Sequence, residues 1–254
     1  MERVTVRAGI VFDSSTAAPL ALDAYLPSGL KSTERRPTIV FVSGAENVRR
    51  WRWFETWGRI AAARGFVAIV PDKRYPRGLE GLRAGFEDTE KLLAFLRGSG
   101  GAQLNVDSQR LCLWTFSAGG RLTSVGLQPG GPNVRCLVNF YGILDLSPEA
   151  AAVEEASARE SLLRRYSPLH ALESMTSAGH KPPPLFVARA GRDAPFINNG
   201  IDRFAAAALR LNAHVTLVNY AEGDHGFDGL NDTPQSKAII EAALGFVREH
   251  TAAP

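Results

Sequence analysis

Apolar and polar positions along this chain switch between two periods almost from end to end. Residues 4–12 and 20–26 read as two strands, turned by Asp13-Ser14-Ser15 and stopped by Pro27-Ser28-Gly29, so an antiparallel pair opens the chain. The stretches 38–42, 66–70, 110–116, 134–141, 185–190 and 215–220 are dominated by apolar residues without alternation, the pattern of strands buried on both faces. Helical spacing occupies 53–64, 85–97, 118–127, 201–211 and 234–250, with Gly65 closing the first helix and Gly98-Ser99-Gly100-Gly101 the second. Asn198 and Asn199 are expected to cap the helix over 201–211. The stretch 146–181 is rich in Ala and Ser and lacks a strand signal, which predicts a short, cap-like helical insertion over the top of the sheet. Repeated strand–helix units with apolar strands predict one α/β domain over 1–254, a mostly parallel sheet with helices on both faces.

Composition agrees with this picture and excludes several function classes. With 45% hydrophobic and 22% charged residues the chain is ordinary globular material, able to bury a sizeable core. No run approaches the roughly 20 apolar residues of a membrane helix, and the opening residues alternate without the apolar centre of a signal peptide. A cytoplasmic protein without a membrane partner is the expectation. The net charge of +3 is spread along the chain, and the one tight cluster, Arg49, Arg50 and Arg52, is far too small for a nucleic-acid footprint. Cys112 and Cys136 lie inside apolar strands and read as buried free thiols; neither has metal-ligand spacing to a histidine, so no metal is expected.

Ligand sites of open parallel sheets lie at the carboxyl ends of the strands. Three such places hold the parts of a nucleophilic triad. Trp114-Thr115-Phe116-Ser117-Ala118-Gly119-Gly120 follows a strand and opens a helix, which puts Ser117 on a sharp turn with its hydroxyl exposed. The usual Gly-x-Ser-x-Gly pattern is departed from at Thr115. His225, in Gly223-Asp224-His225-Gly226-Phe227, lies on a loop after the 215–220 strand and is the candidate base. Asp193, in Gly191-Arg192-Asp193, follows the 185–190 strand and would orient the histidine. Asp145 is its rival, and Asp224 sits too close in sequence to serve. Each signal alone has an ordinary explanation as a cap or turn residue; their order after successive strands is the stronger evidence. The oxyanion donors would be the N–H of Ala118 and a backbone N–H of Gly44 or Ala45 in Ser43-Gly44-Ala45-Glu46. Substrate selection is expected from the loop 47–54 and the insertion 146–181, with Trp51, Trp53 and Tyr141 as candidate substrate contacts and Arg49, Arg50 and Arg52 as an electropositive wall.

These residues resemble the carboxylesterase and dienelactone-hydrolase-like branches of the α/β-hydrolase superfamily over roughly residues 35–250. The resemblance is carried by Asn105-Val106-Asp107, Ser117-Ala118-Gly119-Gly120, Tyr166-Ser167-Pro168-Leu169, Gly191-Arg192-Asp193 and Asp224-His225-Gly226-Phe227. Relatives often have His-Gly-Gly where this chain has Ser43-Gly44-Ala45, and dienelactone hydrolases often have cysteine where it has Ser117. The resemblance implies an eight-stranded, mostly parallel sheet, no cofactor, and a serine hydrolase of small to medium carboxylic esters working through an acyl-enzyme. The same residues would also suit a lactonase, thioesterase, peptidase or acyltransferase. A ligand-binding protein of reduced catalysis is the reading from another class, and a homodimer is left open.

Overall fold

The computed structural model describes residues 4–45, 48–74, 78–131 and 133–253. Among these, eight strands form a single sheet: β1 (Val4–Asp13), β2 (Leu20–Pro27), β3 (Arg36–Val42), β4 (Val67–Pro71), β5 (Val106–Phe116), β6 (Cys136–Phe140), β7 (Leu185–Ala190) and β8 (Val215–Tyr220). Their order across the sheet is β1-β2-β4-β3-β5-β6-β7-β8. β1 and β2 pair antiparallel, as do β2 and β4, and every pairing from β4 to β8 is parallel. The central strands are apolar because helices cover both of their faces.

On one face α1 (Arg52–Ala63) and α9 (Pro234–His250) bury Trp57, Ala61, Leu244 and Val247 against Phe41, Trp114, Phe140 and Phe186. On the other, α2 (Gly78–Arg97) and α7 (Pro195–Arg210) bury Phe86, Leu93, Ile201 and Phe204 against Val40, Leu113 and Val187. Both faces are continuous apolar layers, and burial on this scale is the main favourable term for the fold.

Several boundaries differ from the expectations, each for a local reason. α2 starts at Gly78, seven residues before the predicted start, because Gly81 and Gly85 hide the periodicity that buried Leu82 and Phe86 continue. Gly98 does interrupt the helix, but Ser99–Gln103 winds into a short α3, pressed so closely on α2 that a Cβ on Gly101 would lie 1.8 Å from the Leu96 carbonyl oxygen. α7 starts at Pro195, whose fixed φ suits the first helical position, so Asn198 and Asn199 lie inside that helix instead of capping it. The segment after Ser117 is a 3₁₀ helix over Ser117–Leu127, here the elbow helix; three glycines and the β-branched Thr123 and Val125 weaken its α propensity.

The stretch 146–181 forms α4 (Ser147–Ala150), α5 (Ala156–Tyr166) and α6 (Pro168–Ser177). Leu169, Ala171 and Leu172 of α6 join the apolar layer that contains Leu122 and Val125 of the elbow helix, so the insertion fills the flank between α2 and α7. Among the described residues no helix is long and apolar enough to cross a membrane.

Candidate active site

The carboxyl ends of β5, β7 and β8 bring three side chains together. Ser117 takes the first position after β5 with φ of 54°, a left-handed conformation that is uncommon outside glycine and turns the chain sharply into the elbow helix. Its Oγ lies 2.8 Å from His225 Nε2. His225 Nδ1 lies 2.6 Å from Asp193 Oδ2, and the other Asp193 oxygen accepts the Ala194 N–H at 2.7 Å. Asp193 is buried, its side chain 3% exposed, while the imidazole edge reaches solvent. A carboxylate held in this way accepts from Nδ1–H and leaves Nε2 able to accept the serine proton.

The loops that carry the acid and the base rest on each other. The Gly191 N–H donates to the Tyr220 carbonyl at 2.8 Å and the Arg192 N–H to the Gly223 carbonyl at 3.0 Å. Gly191 is required for this approach, because a Cβ there would stand 2.2 Å from the Ala221 carbonyl oxygen. Across the histidine loop the Asp224 N–H donates to Asn231 Oδ1 at 3.0 Å and Asn231 Nδ2 donates to Asp224 Oδ2 at 2.9 Å. Asp224 therefore braces the loop. Asp145 accepts from the Ser147 hydroxyl and N–H and from Arg203 Nε at 2.7 Å, which occupies it away from His225.

Two backbone donors face the space beside Ser117. Ala118 is the second residue of the elbow helix, so its N–H has no acceptor within the helix. Gly44, after β3, has no acceptor for its N–H among the described residues. The two are in close register: a Cβ on Gly44 would lie 2.8 Å from the Ala118 nitrogen, and one on Gly119 would lie 2.9 Å from the Gly44 nitrogen. Ala45, the third expected donor, gives its N–H to Ser43 Oγ at 3.3 Å and is engaged. The loop continues into Glu46 and Asn47, which lie outside the described residues. Ser43 thus stiffens the loop from within.

Thr115 is accommodated without strain. Its buried Oγ1 lies 2.9 Å from Thr123 Oγ1 on the elbow helix and accepts from Asn139 Nδ2 on β6 at 2.9 Å, while Asn139 Oδ1 accepts the Gly142 N–H at 3.0 Å. The hydroxyl that replaces the usual glycine ties both neighbours of the elbow together.

No family model matches this sequence, and no curated protein does. Solved structures do match. An esterase from the planctomycete Thermogutta terrifontis is similar over 98% of this chain and 92% of its own, with a TM-score of 0.74 at 23% identity. The same esterase with propionate bound gives a TM-score of 0.76 over 100% of this chain and 96% of that one, and its paraoxon-phosphorylated form gives 0.76 at 22% identity. The chain has the α/β-hydrolase fold.

Within this fold the expected substrate contacts have other neighbours. Tyr141 is 3% exposed; its ring centroid lies 4.8 Å from that of His225 and its hydroxyl donates to Asp228, so it backs the histidine instead of lining an open pocket. Trp53 donates Nε1 to Asp228 Oδ2 at 2.9 Å and lies under Gly226 and Gly229, where a Cβ would approach its ring to 2.9 and 2.7 Å. Trp51 is exposed and packs on Phe54. Arg49 bridges Asp23 at 2.7 Å and Asp72 at 2.8 Å, which removes it from any substrate wall.

The residue that sequence reasoning missed is Asp228, at the start of α8 (Phe227–Leu230). It accepts from Trp53, from Trp57 at 2.7 Å and from Tyr141. Burial pushes its carboxyl above the usual range, and the three donors offset part of that rise. Burial, with the Asp228 charge beside it, also holds the Tyr141 hydroxyl well above its usual value. The available signal was an acid one helical turn beyond the histidine.

Two concavities lie nearby. A groove of about 580 Å³ runs beyond Trp53 between α1 and α9, and neither Ser117, Asp193 nor His225 lines it. A smaller cavity of about 190 Å³ is lined by both Gly44 and Ala118 and therefore opens on the donors beside Ser117. No residue of 146–181 or of 48–54 lines that smaller cavity.

Proposed function

We propose that this protein is a serine hydrolase of carboxylic esters, with Ser117 as nucleophile, His225 as general base and acid, and Asp193 as the orienting carboxylate. The observation that carries the reading is the unbroken series from Ser117 Oγ to His225 Nε2 at 2.8 Å and from His225 Nδ1 to Asp193 at 2.6 Å. His225 takes the Ser117 proton as Oγ attacks the ester carbonyl. The charge that develops on the carbonyl oxygen is met by the Ala118 and Gly44 N–H groups. The tetrahedral intermediate then collapses, and His225 returns the proton to the leaving alcohol. Water, deprotonated by the same imidazole, attacks the acyl-enzyme and releases the acid.

The fold is shared with an esterase that paraoxon phosphorylates, and an organophosphate of that kind reacts with an activated nucleophile; this supports the same chemistry here. The serine at 117 favours the carboxylesterase side of the dienelactone-hydrolase-like resemblance.

The test is turnover of p-nitrophenyl esters from acetate to decanoate, with Ser117→Ala measured beside the wild type. Activity that falls by about 10³-fold or more in the variant is the expected outcome. Near-normal activity in Ser117→Ala sinks the assignment, and a folded wild type that neither turns over esters nor reacts with a fluorophosphonate sinks the hydrolase reading.

A further inference from the structure

The smaller cavity has a chemical character that the ester-hydrolase reading does not use. Its one wall is formed by the oxyanion donors Gly44 and Ala118, and another by Gly81 and Gly85 on the first turns of α2. The charged side chains that line it are Lys73 and Arg121, and no carboxylate is among its described lining residues. Arg121 projects from the elbow helix, four residues beyond Ser117. Its Nη2 reaches Glu149 at 3.4 Å, and its Nε is buried with no hydrogen-bond partner among the described residues. Lys73 follows β4 and is 8% exposed.

A buried guanidinium N–H without an acceptor is costly, and an anion placed against it removes that cost. A guanidinium is also the side chain best shaped to take a carboxylate by two parallel hydrogen bonds. The volume of about 190 Å³ leaves room for a carboxylate and a short chain. A carbonyl oxygen held by Gly44 and Ala118 would stand at the mouth of this space, so one arm of the substrate can enter it while the reacting carbon stays at Ser117.

We infer that the cavity is an anion subsite, and that the preferred substrate is an ester bearing a carboxylate on a short arm. The inference rests on the ester-hydrolase reading and narrows it. Arg121 is the principal contact, and Lys73 also lines the cavity. The arm can belong to the acyl part, as in a half-ester of a dicarboxylic acid, or to the alcohol part, as in an acetylated hydroxy acid; the chemistry recognised is the same.

Two pairs of substrates separate these sources: p-nitrophenyl hemiglutarate against p-nitrophenyl butyrate for the acyl arm, and 4-acetoxybenzoate against phenyl acetate for the alcohol arm. The expected result is a kcat/KM advantage of about tenfold or more for the anionic member of one pair. Arg121→Gln abolishes that advantage and Arg121→Lys retains part of it. Lys73→Gln gives the same comparison if Arg121→Gln does not fold. Turnover of neutral esters with no anionic preference in either pair overturns the subsite and leaves the hydrolase reading intact. If no ester is turned over, glutarate titrated by calorimetry into Ser117→Ala still reads the cavity. Binding that Arg121→Gln weakens about tenfold supports the subsite, and absence of binding overturns it.

Discussion

Ser117 sits at a point where the backbone is held in an unfavourable conformation by its surroundings. Its φ of 54° persists because Gly119 and Gly120 let the elbow helix press against its neighbours: a Cβ on either would come within 2.6 Å of the Ser43 backbone or the Ile143 nitrogen. Gly44 belongs to the same close fit. Gly44→Ala puts a methyl 2.5 Å from the Ala118 Cβ and 2.8 Å from its nitrogen, so the loop after β3 must move away from the elbow. The expected result is a fall in kcat of about 10²- to 10³-fold, the cost of losing one oxyanion donor, with native circular dichroism retained. Wild-type kcat in Gly44→Ala would show that its N–H does not serve the reaction. At this scale the sequence was legible where a residue type implies a conformation, as with the glycines around Ser117 and Gly191. It was not legible for Ala45, because whether an N–H is open or given to Ser43 Oγ depends on a rotamer.

Among the elements, the loop after β6 is the joint that holds the insertion to the domain. Asp145 accepts from Ser147 and from Arg203 of α7, and Ser167 Oγ accepts the Leu146 N–H at 3.1 Å. Burial alone would raise the Asp145 carboxyl, but the Ser147 hydroxyl and amide and the Arg203 guanidinium together hold it below the usual carboxylate range. A depressed folded-state pKa means that the unfolded chain binds the proton more readily. This contribution is therefore complete above the unfolded value near 3.8 and is lost as pH falls through the folded value. Asp145→Asn lowers Tm by roughly 3–6 °C at pH 7, and the gap to wild type narrows as pH drops below 4. Thermal melts of both proteins across pH 3–7 check this, and a gap independent of pH contradicts it. The sequence marked 146–181 as helical, and it forms three helices. Its placement on the flank follows from Leu169, Ala171 and Leu172 finding Leu122 and Val125, contacts that helical periodicity does not encode.

Across the whole molecule, the layer under α1 and α9 is an aromatic cluster centred on Trp114, with ring centroids of Trp57 at 4.8 Å, Phe140 at 5.0 Å and Phe41 at 5.5 Å. The Trp114 indole N–H is buried and has no partner among the described residues. Trp114→Phe removes that unsatisfied donor, worth about 1–3 kcal/mol, and so offsets much of the volume it loses, whereas Trp114→Ala leaves a cavity and costs about 3–5 kcal/mol. Urea unfolding is expected to give a small shift in midpoint for the first and a large one for the second, with equal slopes. Equal destabilisation by both would mean that the indole N–H has a partner, such as a bound water.

What the sequence determined by itself was periodic and ordered. Apolar runs specified the central strands, and Ser117, Asp193 and His225 could be placed on the turns and loops that follow β5, β7 and β8. What only the tertiary structure decided was convergence. Asp145 and Asp193 both follow a strand end, and the choice between them depends on which loop lies against the histidine loop, a contact that Gly191 permits. Trp53 and Asp228 are 175 residues apart, and nothing local to either announces that they meet beneath His225. A hydrogen-bond partner is selected by distance in space, whereas periodicity reports only which face of an element turns inward.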